Sequence, residues 1–293
     1  MIKRSPAERV FSVFNTIFMI LMIVVTAYPI YFCVIASFSD PNQMTMSVGA
    51  IFLPYQPFTL SAYEKVFTHS MFISGWLNTL FILIVGTSVN MVLTILTAYV
   101  LSRKGLMLNK FLTILIVFTM YFSGGMIPAY LNVKDLGLMN SLWSLILPGA
   151  ISTYNMIIMR TAFRGIPDEL SESAQLDGAN EFVILWKILV PVCLPTLAVI
   201  LLYYAVGHWN AWFNASIYLQ DSSKFPMQLV MKKILDSANV SEMIGDIGGA
   251  DKARYVELIK YALIVVSTFP IMVLYPFLQK YFVKGVMVGS VKG

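Results

Sequence analysis

Charge is scarce in this chain. Lys, Arg, Asp and Glu make up 12% of its 293 residues, against about 25% in a soluble domain. There are two cysteines and two histidines, and Cys33 and Cys193 lie far apart inside apolar runs, so they read as small apolar fillers rather than a disulfide. Neither a Cys-x-x-Cys nor a zinc-ligand spacing occurs, so no metal site is expected. No Gly-x-x-x-x-Gly-Lys-[Ser/Thr] loop occurs, so the chain has no nucleotide-binding motif of its own. The apolar runs are also without acid: all 15 Asp and Glu residues fall in expected loops or at run ends. That argues against an ion-coupled secondary transporter, which buries ionisable groups at mid-membrane. It equally argues against a membrane-embedded enzyme, which needs clustered catalytic groups at depth.

What is present is apolar length. The chain is 58% hydrophobic, with a mean hydropathy of +0.76. Its apolar residues gather in runs of roughly 20, long enough to cross a hydrocarbon core of about 30 Å. The expected fold class is an all-α membrane protein of six transmembrane helices, near 10–38, 76–101, 111–122, 142–163, 188–217 and 258–282. The first run follows MIKRSPAER and is too long for a signal peptide, so it is expected to be a retained span. With the N-terminus inside, twelve of the twenty Lys and Arg residues fall on the cytoplasmic side. Most of the other eight lie in or near the long stretch after the fifth run, where the positive-inside bias is weak. Both termini are therefore expected in the cytoplasm of a bacterial cell, in a multi-pass protein of its cytoplasmic membrane. The net charge of +5 marks loop orientation rather than a nucleic-acid partner. Three regions follow: 1–75, the first helix and an outer loop; 76–282, a five-helix core with a cytoplasmic loop at 164–190; and 283–293, a cytoplasmic tail.

The loop at 164–190 carries the most specific pattern. Pro167 suits a first helical position, and Asp168 and Glu169 suit a first turn, where the helix dipole favours anions. Leu170, Ser173, Ala174 and Asp177 share a face at helical spacing, and Gly178 is a left-handed stop. The spacing predicts a helix of about three turns with small residues at its centre, followed by a second piece over 181–189 that leads to Pro191.

The order Glu172-Ser173-Ala174, three residues, Gly178, nine residues, Ile188-Leu189-Val190-Pro191 resembles the signature E-A-A-x3-G-x9-I-x-L-P of the permease subunits of binding-protein-dependent ABC importers. Ser173 stands in place of the first Ala and Val190 in place of Leu. The tail from Lys284 through Gly289 to Gly293 is similar to that of the smaller maltose-permease subunit in the carbohydrate-uptake branch. The stretch from Gly124-Gly125 and Pro128 to Asn155 and Arg160 resembles that branch's complex-oligosaccharide members.

The resemblance implies a type I ABC importer permease fold and import of an oligosaccharide or other carbohydrate. Glu169, Glu172, Ser173, Ala174, Asp177 and Gly178 would couple the chain to ATPase subunits. Glu172 would be the charged contact, Ser173 and Ala174 the close-approach surface, and Gly178 the turn that aims the helix. Gly289 to Gly293 could also reach the ATPase interface. The implied partners are a second homologous permease, two cytoplasmic ATPase subunits that bind ATP and Mg, an extracellular or periplasmic solute-binding protein, and membrane lipid. Cargo contacts are sought among aromatic faces and hydrogen-bonding side chains: Tyr154 and Asn155, and Trp209, Asn210 and Asn214, though Trp near a span end is also an interfacial anchor. A peptide or lipid-like cargo is the alternative within the family.

Overall fold

In a computed structural model, the structure describes residues 5–46, 49, 51–68, 70–105, 107–236 and 257–273. Every regular element among them is helical. The chain divides into two compact units, Met1–His69 with Lys233–Pro270, and Ser70–Lys232 with Ile271–Gly293.

The first unit is built on α1 (Pro6–Ser37), which starts on a complete capping box. The Ser5 side chain accepts from the Glu8 amide, and the Glu8 carboxylate accepts from the Ser5 amide. Pro6 fills the first position, where a missing N–H costs nothing. The helix is 32 residues long, and none of its most apolar window is buried within the chain. Two short helices follow, α2 (Pro41–Met46) and α3 (Ser61–Thr68). The segment between them is pinned to α1 by the Tyr31 hydroxyl, which donates to the Phe52 carbonyl at 2.7 Å, and, just past its end, by Ser39 Oγ, which accepts from the Tyr55 amide at 3.1 Å and donates to the Ile35 carbonyl. Phe32 meets Tyr261, on the helix spanning 257–273, edge-on at 5.6 Å.

The second unit opens with α4 (Ser70–Phe81), a π-helical turn at Ile82–Gly86, and α5 (Thr87–Ser102). Together they form one continuous apolar helix over Met71–Ser102. Next come α6 (Asn109–Tyr121) and α7 (Met126–Asp135), at 114° to each other. Gly125, at φ +92°, makes that corner in a backbone region that other residues rarely enter. Then follow α8 (Thr153–Arg164), α9 (Asp168–Leu176), α10 (Glu181–Val183), a second π-helical turn at Ile184–Leu189 and α11 (Val190–Val192). The last described elements of this run are α12 (Leu194–Trp209), α13 (Trp212–Tyr218) and α14 (Met227–Leu235). Glu181–Val192 and Leu194–Trp209 meet at 86° around Cys193.

Two helices, Pro6–Ser37 and Met71–Ser102, are long and apolar enough to cross a membrane, and the two bent pairs reach that standard if each is taken as one span. The expected fourth span, 142–163, is not a continuous helix. Leu142–Leu145 is a 3-10 turn, and regular helix begins only at Thr153, capped by the Ser152 side chain. Pro148 and Gly149 break the run, and the 12 residues of α8 reach about 18 Å at 1.5 Å per residue. The expected fifth span is likewise interrupted at Cys193 and again at Asn210. The tail 283–293 and residues 274–282 of the expected sixth span lie outside the described residues.

The core of this unit joins α5, α8, the second π-helical turn and α12 through Ile95, Ala98, Met156, Met159, Ile184, Leu185 and Ile200, all buried. The first π-helical turn has a packing reason. A methyl added at Gly86 would sit 2.7 Å from His208 Nε2 and 2.8 Å from its Cε1, so only glycine lets that imidazole lie against the helix backbone. Gly86→Ala is therefore expected to cost about 1–3 kcal/mol through overpacking, read as a lowered melting midpoint of the solubilised protein. Gly149→Ala, where the methyl meets nothing within 4 Å, leaves the midpoint in place.

Candidate functional site

The loop between α8 and α12 folds as its residue types dictate. Pro167 occupies the N-cap of α9, one position earlier than expected, with Asp168 and Glu169 in the first turn. The helix stops in a Schellman arrangement. The Gly178 amide donates to the Gln175 carbonyl at 3.0 Å, and the Ala179 amide reaches back to the Ala174 carbonyl at 2.9 Å. Gly178 takes φ +84°. Asn180 then caps the following helix by accepting from the Val183 amide.

The two small residues of the signature part company. Ala174 is buried in the cluster that holds Ile184, Leu185 and Leu189, so it does not present a surface to a partner. Its short side chain lets α9 close onto the second π-helical turn of the same chain. Ser171 is buried on the same side. Glu169, Glu172, Ser173 and Asp177 are exposed. Sequence reasoning gave no partner-facing role to the apolar residues that stand out beside them: Leu176 at 90% exposure, Phe182 at 68% and Leu170 at 46%. Apolar groups beside carboxylates suit a protein partner better than water alone.

It also missed the side chains that tie this loop to the end of α5. Tyr99 donates to the Glu181 carboxylate. Arg103 donates to the Tyr99 hydroxyl and, at 2.8 Å, to Glu181 Oε2. Gln175 of α9 donates to Glu181 Oε1 at 3.0 Å. Lys104 pairs with Asp168 at the start of α9. The Tyr99 hydroxyl, then the charge of Arg103, hold the Glu181 carboxyl below the usual carboxylate range. The hydrogen bond that Lys104 donates to Asp168, then the charges of Asp168, Glu169 and Glu172, raise the Lys104 ammonium above its ordinary value. The sequence signal was weak: Tyr99 and Arg103 are one helical turn apart, but Glu181 lies 78 residues further on.

A second feature lies further along the same unit. A cavity of about 460 Å³ is lined by Tyr154, Asn155, Tyr203, Tyr204, His208 and Asn214, among others. Three of the expected cargo residues thus share one wall. The other two do not line it. Trp209 is buried, packed edge-on against Trp76 at 5.6 Å, and Asn210 bonds the Val206 carbonyl within its own helix. The rings of Tyr154 and Tyr203 lie 6.4 Å apart and inclined by 44°, with both side chains substantially exposed.

Asn90 holds two parts of this cavity's lining, Gly149 and His208, in place. Its amide donates to the Gly149 and Ala150 carbonyls at 2.8 and 2.9 Å. Its oxygen must then accept, so His208 Nε2, 2.6 Å away, carries the proton and a neutral ring offers Nδ1 as an acceptor. Tyr204 bonds Thr94 at 2.7 Å and accepts from the Ser152 amide at 2.9 Å. The lining is thus hydroxyl, amide, imidazole and aromatic, with no carboxylate among the described residues.

Residues 95–288 match the family described as the inner membrane component of binding-protein-dependent transport systems. Over 288 residues, 98% of this chain and 99% of the relative, the chain is 41% identical to the polygalacturonan/rhamnogalacturonan transport system permease protein YtcP of Bacillus subtilis (strain 168). Over 289 residues, 99% and 97% of the two chains, it is 39% identical to protein LplC of the same organism. A chain in the crystal structure of a bacterial ABC transporter involved in the import of the acidic polysaccharide alginate has a TM-score of 0.85 to it, at 30% identity, covering 96% of this chain and 100% of that one. The chain belongs to this family of inner-membrane transport components; it is a permease subunit with the family's fold.

The links around Glu181 give a prediction. A carboxyl held low stabilises its links above the ordinary carboxyl range and loses them as pH falls through the depressed value. Glu181→Gln at neutral pH, or acidification of the native chain, is expected to speed hydrogen exchange at the α9 amides. Exchange that is indifferent to both would dismiss the links as incidental.

Proposed function

We propose that this chain is one of two transmembrane subunits of an ATP-driven importer that moves an oligosaccharide across the bacterial cytoplasmic membrane. The observation that carries the cargo reading is the cavity itself. Tilted Tyr154 and Tyr203 faces beside the Asn155 and Asn214 amides and an imidazole acceptor match what a sugar ring offers, namely C–H faces and a rim of hydroxyls. Relatives named for polygalacturonan/rhamnogalacturonan transport and for alginate import support the same class of cargo.

In this reading the chain crosses the membrane six times with both termini in the cytoplasm. Residues 1–75 form the first helix and an outer loop, 76–282 the permease core, and 283–293 a cytoplasmic tail. A solute-binding protein delivers cargo from outside. Two ATPase subunits hold ATP and Mg, while this chain binds no cofactor. Glu172 with Glu169, Ser173 and Asp177 faces the ATPase, Leu176 and Phe182 supply apolar area, and Gly178 sets the angle of α9. Ala174 acts from within, by seating α9 on its own chain. ATP-driven closure of the ATPase pair displaces α9, and the Tyr99–Arg103–Glu181 links pass that displacement to α5 and the cavity.

Two measurements test this. Tagged chain solubilised from its native membrane is expected to bring down a second permease and an ATPase, with the ATPase lost from Glu172→Lys and Gly178→Asp. A chain that purifies alone, or an ATPase that persists in both variants, would overturn the coupling assignment. In the assembled system, Tyr154→Ala and Asn155→Ala are each expected to lower uptake of labelled oligosaccharide about tenfold, the equivalent of about 1.4 kcal/mol of lost contact, without releasing the ATPase. Unchanged uptake would remove the cavity from the pathway.

A further inference from the structure

Asn155 sits in the first turn of α8, only 5% exposed, on the lining of the cavity of about 460 Å³. Its backbone N–H is served by Ser152 Oγ at 3.4 Å. Its side-chain amide has no hydrogen-bond partner among the described residues. A polar side chain this buried is ordinarily paired within the protein; this one is left to the cavity. On the same lining, His208 gives its Nε2–H to Asn90 and keeps Nδ1 as an acceptor. The Tyr204 hydroxyl is already spent on Thr94 and the Ser152 amide. The open polar groups are thus of both kinds: Asn155 offers two N–H donors and a carbonyl oxygen, and His208 a lone acceptor.

This mixture discriminates between sugars. A hydroxyl both donates and accepts, so hydroxyls satisfy the amide and the imidazole acceptor together. An ionised carboxylate only accepts. It would leave His208 Nδ1 and the Asn155 oxygen facing negative charge. The lining carries neither Lys nor Arg among the described residues, and Lys232 of α14 lies over the Trp212 ring at 5.8 Å rather than on it. An ionised group that leaves water needs a partner of opposite charge. We propose that the sugar unit held by this chain is uncharged, recognised through its hydroxyls by Asn155 and His208, and that a uronate is refused there. This selectivity rests on the cavity being the cargo site proposed above, and narrows the cargo at this wall from any sugar to a neutral one.

The test bypasses the solute-binding protein, whose own preferences would mask the site. The assembled transporter is held in lipid nanodiscs at about pH 8, where imidazole is neutral. Saturation-transfer NMR measures binding of two probes: an oligogalacturonide, and the same chain with its carboxyls reduced to primary alcohols. Native transporter is expected to bind the reduced chain at least about tenfold more tightly, the loss that an unmatched hydrogen-bonding group or unpaired charge brings. Asn155→Leu, close in size, is expected to cut binding of the reduced chain about tenfold while the melting midpoint holds, since the amide bonds nothing in the fold. Asn214→Lys, on the exposed part of the same lining, is expected to admit the uronate by supplying a cation. Equal binding of the two probes, both lost in Tyr154→Ala, would leave the cavity a sugar site and overturn the neutral preference alone. A uronate that Asn214→Lys fails to admit would do the same, by showing that charge is not what excludes it. Binding indifferent to both Tyr154→Ala and Asn155→Leu, or no binding of either probe, would overturn the cargo reading of the cavity and this proposal with it.

Discussion

A single carbonyl holds the working end of this permease together. Leu101 lies at the end of α5, where helix carbonyls lack intrahelical partners and the dipole presents negative charge. Its buried oxygen accepts from Arg160 Nε at 2.9 Å, Arg164 at 3.3 Å and Asn109 Nδ2 at 3.1 Å. One acceptor thereby fixes the ends of α5, α6 and α8 relative to one another. The Arg103 side chain leaves from two residues beyond it and reaches Glu181. The loop that carries the family signature is thus linked, through two residues, to the junction of three core helices. If that junction were loose, a push on α9 would dissipate in the loop.

The second constraint is at the far end of the same helix. The first π-helical turn and Gly86 admit the imidazole of His208, and Asn90 four residues on secures both that ring and the Gly149–Ala150 backbone. The cavity wall is therefore anchored on the same continuous helix, Met71–Ser102, that receives the loop. Cavity and loop thus both bear on one helix.

Much of this was legible in the sequence, and for definite reasons. The first two spans stand out because their apolar runs are long and uncharged. The loop helix was legible down to its stop, because Pro167, Asp168, Glu169 and Gly178 each have one natural place in a helix. What failed were features set by tertiary partners. Pro148 and Gly149 did not announce that 142–152 would leave the helix. The resemblance made Ala174 part of a surface for a partner, but it is buried, because the second π-helical turn packs on its side. Asn90 and His208, 118 residues apart, carry no mutual signal in a lone sequence. Glu181 read as one more loop acid until Tyr99 and Arg103 were found beside it.

The central claim is that α9 and α5 move as one body during transport. Double electron–electron resonance between spin labels at Ser173, exposed on α9, and Ser88, exposed on α5, measures this in the assembled transporter. The account predicts one distance distribution that is unchanged between the nucleotide-free and ATP-bound states. A shift of several ångströms between those states would contradict it, by showing that the loop moves independently of the helix it is meant to drive.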